Sequence, residues 1–158
     1  MAVARNRKNI DYRQLTVVDQ FGQSASYSGS KILGTHAVSE ERNCIAAGNL
    51  LKSAAIPNAM TECFLGHADL HLAERLLRSL EAGLGAGGEE GPVRSAALLV
   101  CHEHSFPLVN LRVDWHDNDP IGALRALWTN YEPQMEAYLQ RAIDPSAAPS
   151  FGVPGDEA

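Results

Sequence analysis

Hydrophobic positions in the first third of the chain follow the short periods of β-strands. The pattern predicts a hairpin at the start of the chain. A strand with apolar residues over 15–18 is followed by a turn-forming segment over 19–22 and by a second strand over 24–30. The returning strand has small side chains apart from Tyr27, so another layer can approach one of its faces closely. A third strand is predicted over 43–51, and it breaks at Gly48 and Asn49.

From Pro57 onward the pattern becomes helical. Pro57 opens a short helix that is expected to end near Gly66, and Asp69 is the predicted N-cap of the next one. In that second helix every fourth residue is leucine, which predicts a side facing the core: Leu72, Leu76, Leu80 and Leu84.

A glycine-dense turn over 83–91 follows these helices. Glycine lacks a Cβ, so such a run can lie close to another backbone or to a ligand. Two strands are predicted next, over 95–101 and 108–113, and then a helix capped by Asp119. Pro133 is expected to interrupt this helix, which restarts through Ala142.

The order of these elements lacks the regular alternation of βαβ units, and it predicts an α+β domain of antiparallel sheet with helices outside. We expect a basic arm over 1–13, a single domain over 14–143 and an extended tail over 144–158. In the arm Arg5, Arg7, Lys8 and Arg13 outnumber Asp11, which is typical of a solvated segment.

Composition excludes several classes of function. The 158 residues carry a net charge of −6, which argues against nucleic acid as a main partner. No apolar run is long enough to cross a membrane, and no signal-peptide pattern follows the basic start. Three cysteines without CxxC spacing fit reduced thiols in the cytoplasm. The six histidines lack metal-site spacing, so we expect no bound metal. We also expect no other cofactor.

Three places can carry chemistry. At the strand end, Gly48 and Asn49 form either an ordinary turn or a site that offers amide donors to an oxyanion or a substrate. Arg94 and Ser95 either clamp a carboxylate at a pocket mouth or are a surface arginine and a strand start.

The third place is the segment around Val113. Arg112 and Asp114 flank this valine and share one face of their strand. They form either a structural ion pair or part of a substrate site. Loss of activity with little loss of stability would identify the second role.

Several blocks together resemble the bacterial family called domain of unknown function 1028. In order, they are RQLTVVD (13–19), YSGS (27–30), AAGNLL (46–51), LEAGLGAGG (80–88), RSAALLV (94–100), NLRVDWHDNDPI (110–121) and APSFGVPGD (148–156). The resemblance implies an N-terminal nucleophile hydrolase fold, an αββα sandwich, and hydrolysis of an amide-type bond. The chain differs from the family at 89–92, where it is acidic and the family usually has a basic residue.

In hydrolases of that fold the nucleophile is a leading Thr, Ser or Cys whose own amine acts as base. Here Met1 is followed by Ala2, and the first strands of the family are missing. The leading hypothesis is therefore an amide hydrolase whose nucleophile comes from a partner segment, with a small-molecule amide as substrate. The alternative is a truncated or diverged module that binds a small ligand or self-associates. In both cases we expect a homo-oligomer, or a partner chain that supplies the missing strands, because an unpaired sheet edge tends to be covered.

Overall fold

A computed structural model describes residues 7–155 of the chain. It divides into two compact units, unit 1 (Met1–Val93) and unit 2 (Arg94–Ala158). The single domain expected over 14–143 stays a prediction. The expectations about Met1, Ala2 and Arg5 lie outside the described residues.

Unit 1 begins with two antiparallel hairpins. The first pairs β1 (Gln14–Val18) with β2 (Ser24–Ser28), and the second pairs β3 (Ala37–Glu41) with β4 (Cys44–Gly48). The turn of the first hairpin forms because Asp19 Oδ1 accepts hydrogen bonds from the main-chain N–H groups of Phe21 and Gln23, at 2.8 and 2.9 Å. The predicted first hairpin is confirmed.

The small side chains of β2 let the two hairpins approach closely. Ser24 Oγ donates to Glu41 O at 3.3 Å, and the Ser26 hydroxyl hydrogen bonds to the Glu40 carboxylate. At the turns, Asn43 N donates to Gly22 O at 2.9 Å. The second hairpin contains β3, a strand that the sequence pattern does not predict, and it packs against the first hairpin through these contacts.

Helix α1 (Ile56–Gly66) packs on β3 and β4, and α2 (Leu72–Gly85) packs on α1. Two buried hydroxyl contacts fix this arrangement. Ser39 and Thr61 join their side-chain oxygens at 2.7 Å, and Ser79 Oγ donates to Met60 O at 2.7 Å. The apolar core of unit 1 consists of Ala46, Leu51, Ile56, Phe64, Ala73 and Leu77.

Two predictions about α2 are wrong. The N-cap is His71, whose Nδ1 accepts from Ala73 N at 3.2 Å, and not Asp69. The leucine stripe is not all core, because Leu72 and Leu84 are 41% and 46% exposed. Residues four apart turn about 40° around a helix, so a run of fours drifts off the buried side. The buried side instead consists of Ala73, Leu77, Ser79 and Gly83.

Unit 2 contains one hairpin covered by helices. β5 (Ala96–Cys101) pairs with β6 (Pro107–Val113), and α3 (Pro120–Tyr131) packs on both strands. A 3₁₀ turn, Glu132–Gln134, separates α3 from α4 (Met135–Ile143), as Pro133 predicts. Asp119 caps α3 through Gly122 N at 2.8 Å. The apolar core of unit 2 consists of Leu98, Val100, Val109, Leu124, Trp128 and Met135.

The described parts of the two ends are more ordered than the sequence suggested. Ile10–Tyr12 is a 3₁₀ helix, and Asp11 O accepts from Lys31 N at 2.8 Å. After α4, Pro145–Ala147 forms another 3₁₀ helix capped by Asp144. The Ser146 hydroxyl donates to Asp144, and this bond lowers the pKa of that carboxyl group.

The α+β class, with antiparallel sheets and helices packed on them, is confirmed. Over residues 7–155, no helix combines the length and the apolar character that a membrane span requires.

Candidate functional site

In unit 1 the segment 48–51, called here the Asn49 turn, lies between two other segments of backbone. On one side Leu50 N donates to Leu33 O at 3.3 Å and Leu51 N donates to Thr35 O at 2.9 Å. On the other side the glycine-dense turn closes on it, because Glu90 N donates to Leu50 O at 2.8 Å. This confirms that the glycine run lies close to another backbone.

Leu50 has a φ of 53°, in the left-handed region that a branched side chain rarely adopts. The hydrogen bonds on both sides of the turn hold this conformation in place. Strained residues of this kind are concentrated at functional sites, where the surrounding structure maintains them. Leucine at a positive φ runs against its own propensity, so no sequence signal could have identified it.

Asn49 is exposed, and its side-chain amide makes no hydrogen bond to any residue between 7 and 155. The free carboxamide therefore offers two N–H donors and one carbonyl acceptor to a ligand. Because Leu50 and Leu51 are fixed next to it, the main chain that carries Asn49 is also fixed.

In unit 2 the strand register sets Arg112 opposite Ala97, and Arg112 and Asp114 share one face by alternation. Ser95 lies just before the paired segment, which begins with Ala96 opposite Val113. Arg112 Nε donates to Asp114 Oδ1 at 3.1 Å, and this bond raises the pKa of the Arg112 guanidinium. Both side chains are exposed, at 64% and 76%. The predicted ion pair is present on a solvent-facing surface.

Arg94 is engaged with the loop that precedes α3. Its guanidinium hydrogen bonds to Asp117 O, lies 3.7 Å from Asp117 Oδ1, and sits 5.6 Å from the centre of the Trp115 ring. The indole Nε1 of Trp115 also donates to Asp117 Oδ1 at 3.1 Å. Arg94 therefore organises this loop, a role that the sequence pattern does not indicate because the contact depends on the tertiary fold.

One cysteine and histidine pair lies along α1. Cys63 Sγ is 3.8 Å from His67 Nδ1, but that nitrogen also lies 2.8 Å from Cys63 O. A carbonyl oxygen only accepts, so Nδ1 carries a proton there and cannot deprotonate the thiol. Burial raises the pKa of another thiol, Cys44, which also opposes its ionisation. His67 Nδ1 therefore does not act as a base toward Cys63 in this arrangement.

Comparison with known proteins agrees with the motifs. Residues 1–124 match the model of a family of unknown function, DUF1028. The chain belongs to the DUF1028 family. A crystal structure of a DUF1028 protein from Silicibacter pomeroyi is similar to this chain, with a TM-score of 0.72 and 36% sequence identity. None of the curated proteins matches.

The similarity to the Silicibacter pomeroyi protein covers 82% of this chain but only 57% of that protein. This chain therefore spans little more than half of the length of that DUF1028 relative. Among residues 7–155, the predicted site residues are divided between the two units. Gly48 and Asn49 lie in unit 1, and unit 2 contains Arg94, Ser95, Arg112 and Asp114.

Proposed function

We propose that the chain forms part of the wall of an amide-hydrolysing site of the N-terminal nucleophile type, and that another polypeptide segment supplies the nucleophile. The observation that carries the proposal is the Asn49 turn. It presents an unengaged carboxamide beside a leucine held at a φ of 53°. The chain resembles the family in the block AAGNLL, which contains this turn.

Amide hydrolysis passes through a tetrahedral intermediate whose oxygen carries a negative charge. The Asn49 Nδ2 group can donate to that oxygen, and one such donor contributes about 3–4 kcal/mol to transition-state stabilisation. The strained backbone at Leu50 supports this role, because it restricts the position of the Asn49 Cα atom from which the side chain extends.

Unit 2, taken by itself, offers donors to a small molecule that carries a carboxylate. Arg112 is exposed on β6, and the exposed Ser95 lies just before the first residue of β5. Guanidinium groups bind carboxylates through paired hydrogen bonds. Asp114 holds Arg112 through Nε and Nη2, and a substrate carboxylate can compete with it for the guanidinium.

A second candidate function is a non-catalytic module that binds a small ligand or assembles with copies of itself. One observation favours it: both arginines of the expected site already contact carboxylates, Arg94 with Asp117 and Arg112 with Asp114.

The three cysteines are free thiols, which supports our proposal that either function is exercised in the cytoplasm.

An assay on two preparations tests the proposed hydrolysis. A panel of N-acyl-4-nitroanilides, with neutral and carboxylate-bearing acyl groups, is offered to the recombinant chain alone and to tagged chain purified from its native cells. We expect no hydrolysis by the chain alone. The native preparation should hydrolyse at least one acyl group and contain a polypeptide that begins with Thr, Ser or Cys.

Activity of the recombinant chain alone would show that the proposal of an external nucleophile is wrong. A native preparation that hydrolyses none of the panel would contradict the hydrolase and favour the module. As a control, each preparation should be inactive after denaturation.

A further inference from the structure

A small cavity lies within unit 2, where the start of β6 meets the end of α3 and the outer part of α4. Its volume is about 210 Å³. Pockets for drug-sized ligands are larger, about 300–1,000 Å³, so this cavity suits one compact chemical group. Part of its wall is aliphatic and consists of Pro107, Leu108, Leu139 and Ala142. We call it the β6–α4 cavity.

The rest of the wall of the β6–α4 cavity is aromatic, and contacts hold each ring in place. Tyr131 donates its hydroxyl to Leu108 O at 2.9 Å, and its ring stacks with that of Tyr138 at 6.2 Å between centroids. Phe106 stacks on His104, with the ring centroids 5.4 Å apart. Three positioned rings therefore surround one small space.

The charges around the β6–α4 cavity favour a cation over an anion. Among residues 7–155, no basic, acidic or histidine side chain lines the cavity. The segment 94–155 carries seven acidic and four basic residues. Arg141 precedes the lining residue Ala142, but its guanidinium lies 4.5 Å from the centre of the Phe151 ring and hydrogen bonds to Pro149 O. An anion therefore finds no partner in the wall, and the surrounding field attracts cations.

We propose that the β6–α4 cavity binds a quaternary ammonium group. The faces of aromatic rings attract cations, and several rings around one space form the kind of cage that recognises methylated ammonium groups. A quaternary ammonium has no N–H, so it requires no hydrogen-bond acceptor from an apolar wall. A primary ammonium carries three donors, which would lose water without replacement.

The group can belong to a free solute such as choline or to the headgroup of phosphatidylcholine, because both present the same trimethylammonium. This binding does not rest on the proposed hydrolysis. None of the residues that line the cavity is one of the predicted site residues.

Titration of the full chain with choline chloride tests the proposal by NMR of the aromatic side chains. The signals that are absent from the spectrum of Tyr138→Leu belong to Tyr138, and they should shift until they saturate. The compound 3,3-dimethylbutan-1-ol has the shape of choline without the charge, and should bind at least about tenfold more weakly. Ethanolamine, at the same ionic strength, should also bind more weakly, because its ammonium carries N–H donors.

Two outcomes of this titration would overturn the proposal. In the first, choline causes no saturable shift of the Tyr138 signals. In the second, choline and its uncharged analogue bind equally, which would show an apolar cavity with no preference for a cation.

Substitutions at Tyr138 test whether the face of the ring provides the affinity. Tyr138→Leu removes one ring and should raise the dissociation constant for choline at least about fivefold, followed through the signals of Phe106. Tyr138 is 48% exposed, so circular dichroism should match the wild type. Tyr138→Phe keeps the ring and should bind choline within a factor of about two of the wild type.

The matched control is Tyr12→Leu, which makes the same change in unit 1 at a tyrosine that is 58% exposed and lies beside Lys31. It should bind choline as the wild type does. Equal weakening by Tyr138→Leu and Tyr12→Leu would overturn the proposal, and so would equal weakening by Tyr138→Leu and Tyr138→Phe.

Vesicles distinguish the two sources of the group. Displacement of choline by phosphatidylcholine vesicles, but not by phosphatidylethanolamine vesicles, would identify the lipid headgroup. Displacement by neither would support a free solute. Equal displacement by both would overturn the preference for a quaternary ammonium.

Discussion

Asn49→Ala is expected to lower amide hydrolysis by the native preparation at least about a hundredfold. The reason is the loss of one donor to the oxyanion, an interaction made mainly in the transition state. The value of kcat should therefore fall, and KM should change little. The fold should be unaffected, because the Asn49 side chain is exposed and contributes no hydrogen bond to residues 7–155. Steady-state hydrolysis and circular dichroism measure the two effects.

The matched control is Asn130→Ala, which removes an exposed carboxamide from α3. This variant should keep wild-type activity within a factor of about three. A loss of tenfold or less in Asn49→Ala would remove Asn49 from the site. Equal losses in the two variants would show that the effect is not specific to the Asn49 turn.

Trp128→Ala is expected to lower the free energy of unfolding of unit 2 by about 3–5 kcal/mol. Trp128 is 1% exposed in the core formed by α3, β5 and β6, and the smaller side chain leaves a cavity that a packed interior fills only in part. Urea unfolding monitored by fluorescence measures the change. In this variant Trp115 reports the transition.

Trp115→Ala makes the same chemical change at a residue that is 69% exposed. It loses one hydrogen bond to Asp117 and the contact with Arg94, and the expected cost is about 1 kcal/mol or less. Trp128 then reports unfolding. Equal destabilisation by the two variants would contradict the assignment of Trp128 to the core.

The sequence predicted elements that local chemistry determines. The first hairpin follows from Asp19 and Gly22, where a carboxylate caps main-chain N–H groups and glycine takes a φ of 75°. The start of α3 and its interruption follow from Asp119 and Pro133. In these places one or two residues fix the backbone, so tertiary contacts are not needed.

Elements that depend on tertiary contacts were missed. β3 has only two apolar residues in AVSEE, and its turn uses Asn43 at a φ of 67° in place of glycine. Asparagine tolerates that conformation through its short polar side chain, so this signal was available but weak. The prediction for the α2 stripe is wrong because each step of four residues turns about 40° around the helix, so Leu72 and Leu84 leave the buried side.

For the candidate site, the sequence indicated which residues to consider but not their contacts. Arg112 and Asp114 pair as alternation along a strand predicts. The engagement of Arg94 by Asp117 and Trp115 depends on a loop whose path only the fold determines. The left-handed Leu50 results from hydrogen bonds at Leu33, Thr35 and Glu90, which are distant in sequence.

Covalent trapping of the nucleophile tests most directly the claim that this chain contributes to an amide hydrolase without supplying its nucleophile. A β-lactone acylates an attacking hydroxyl or thiol and opens its own ring, so the adduct retains the whole probe mass. With the native preparation, peptide mapping should locate the adduct on the leading Thr, Ser or Cys of a co-purified polypeptide. An adduct on a residue of this chain, such as Ser95 or Cys63, would contradict the account.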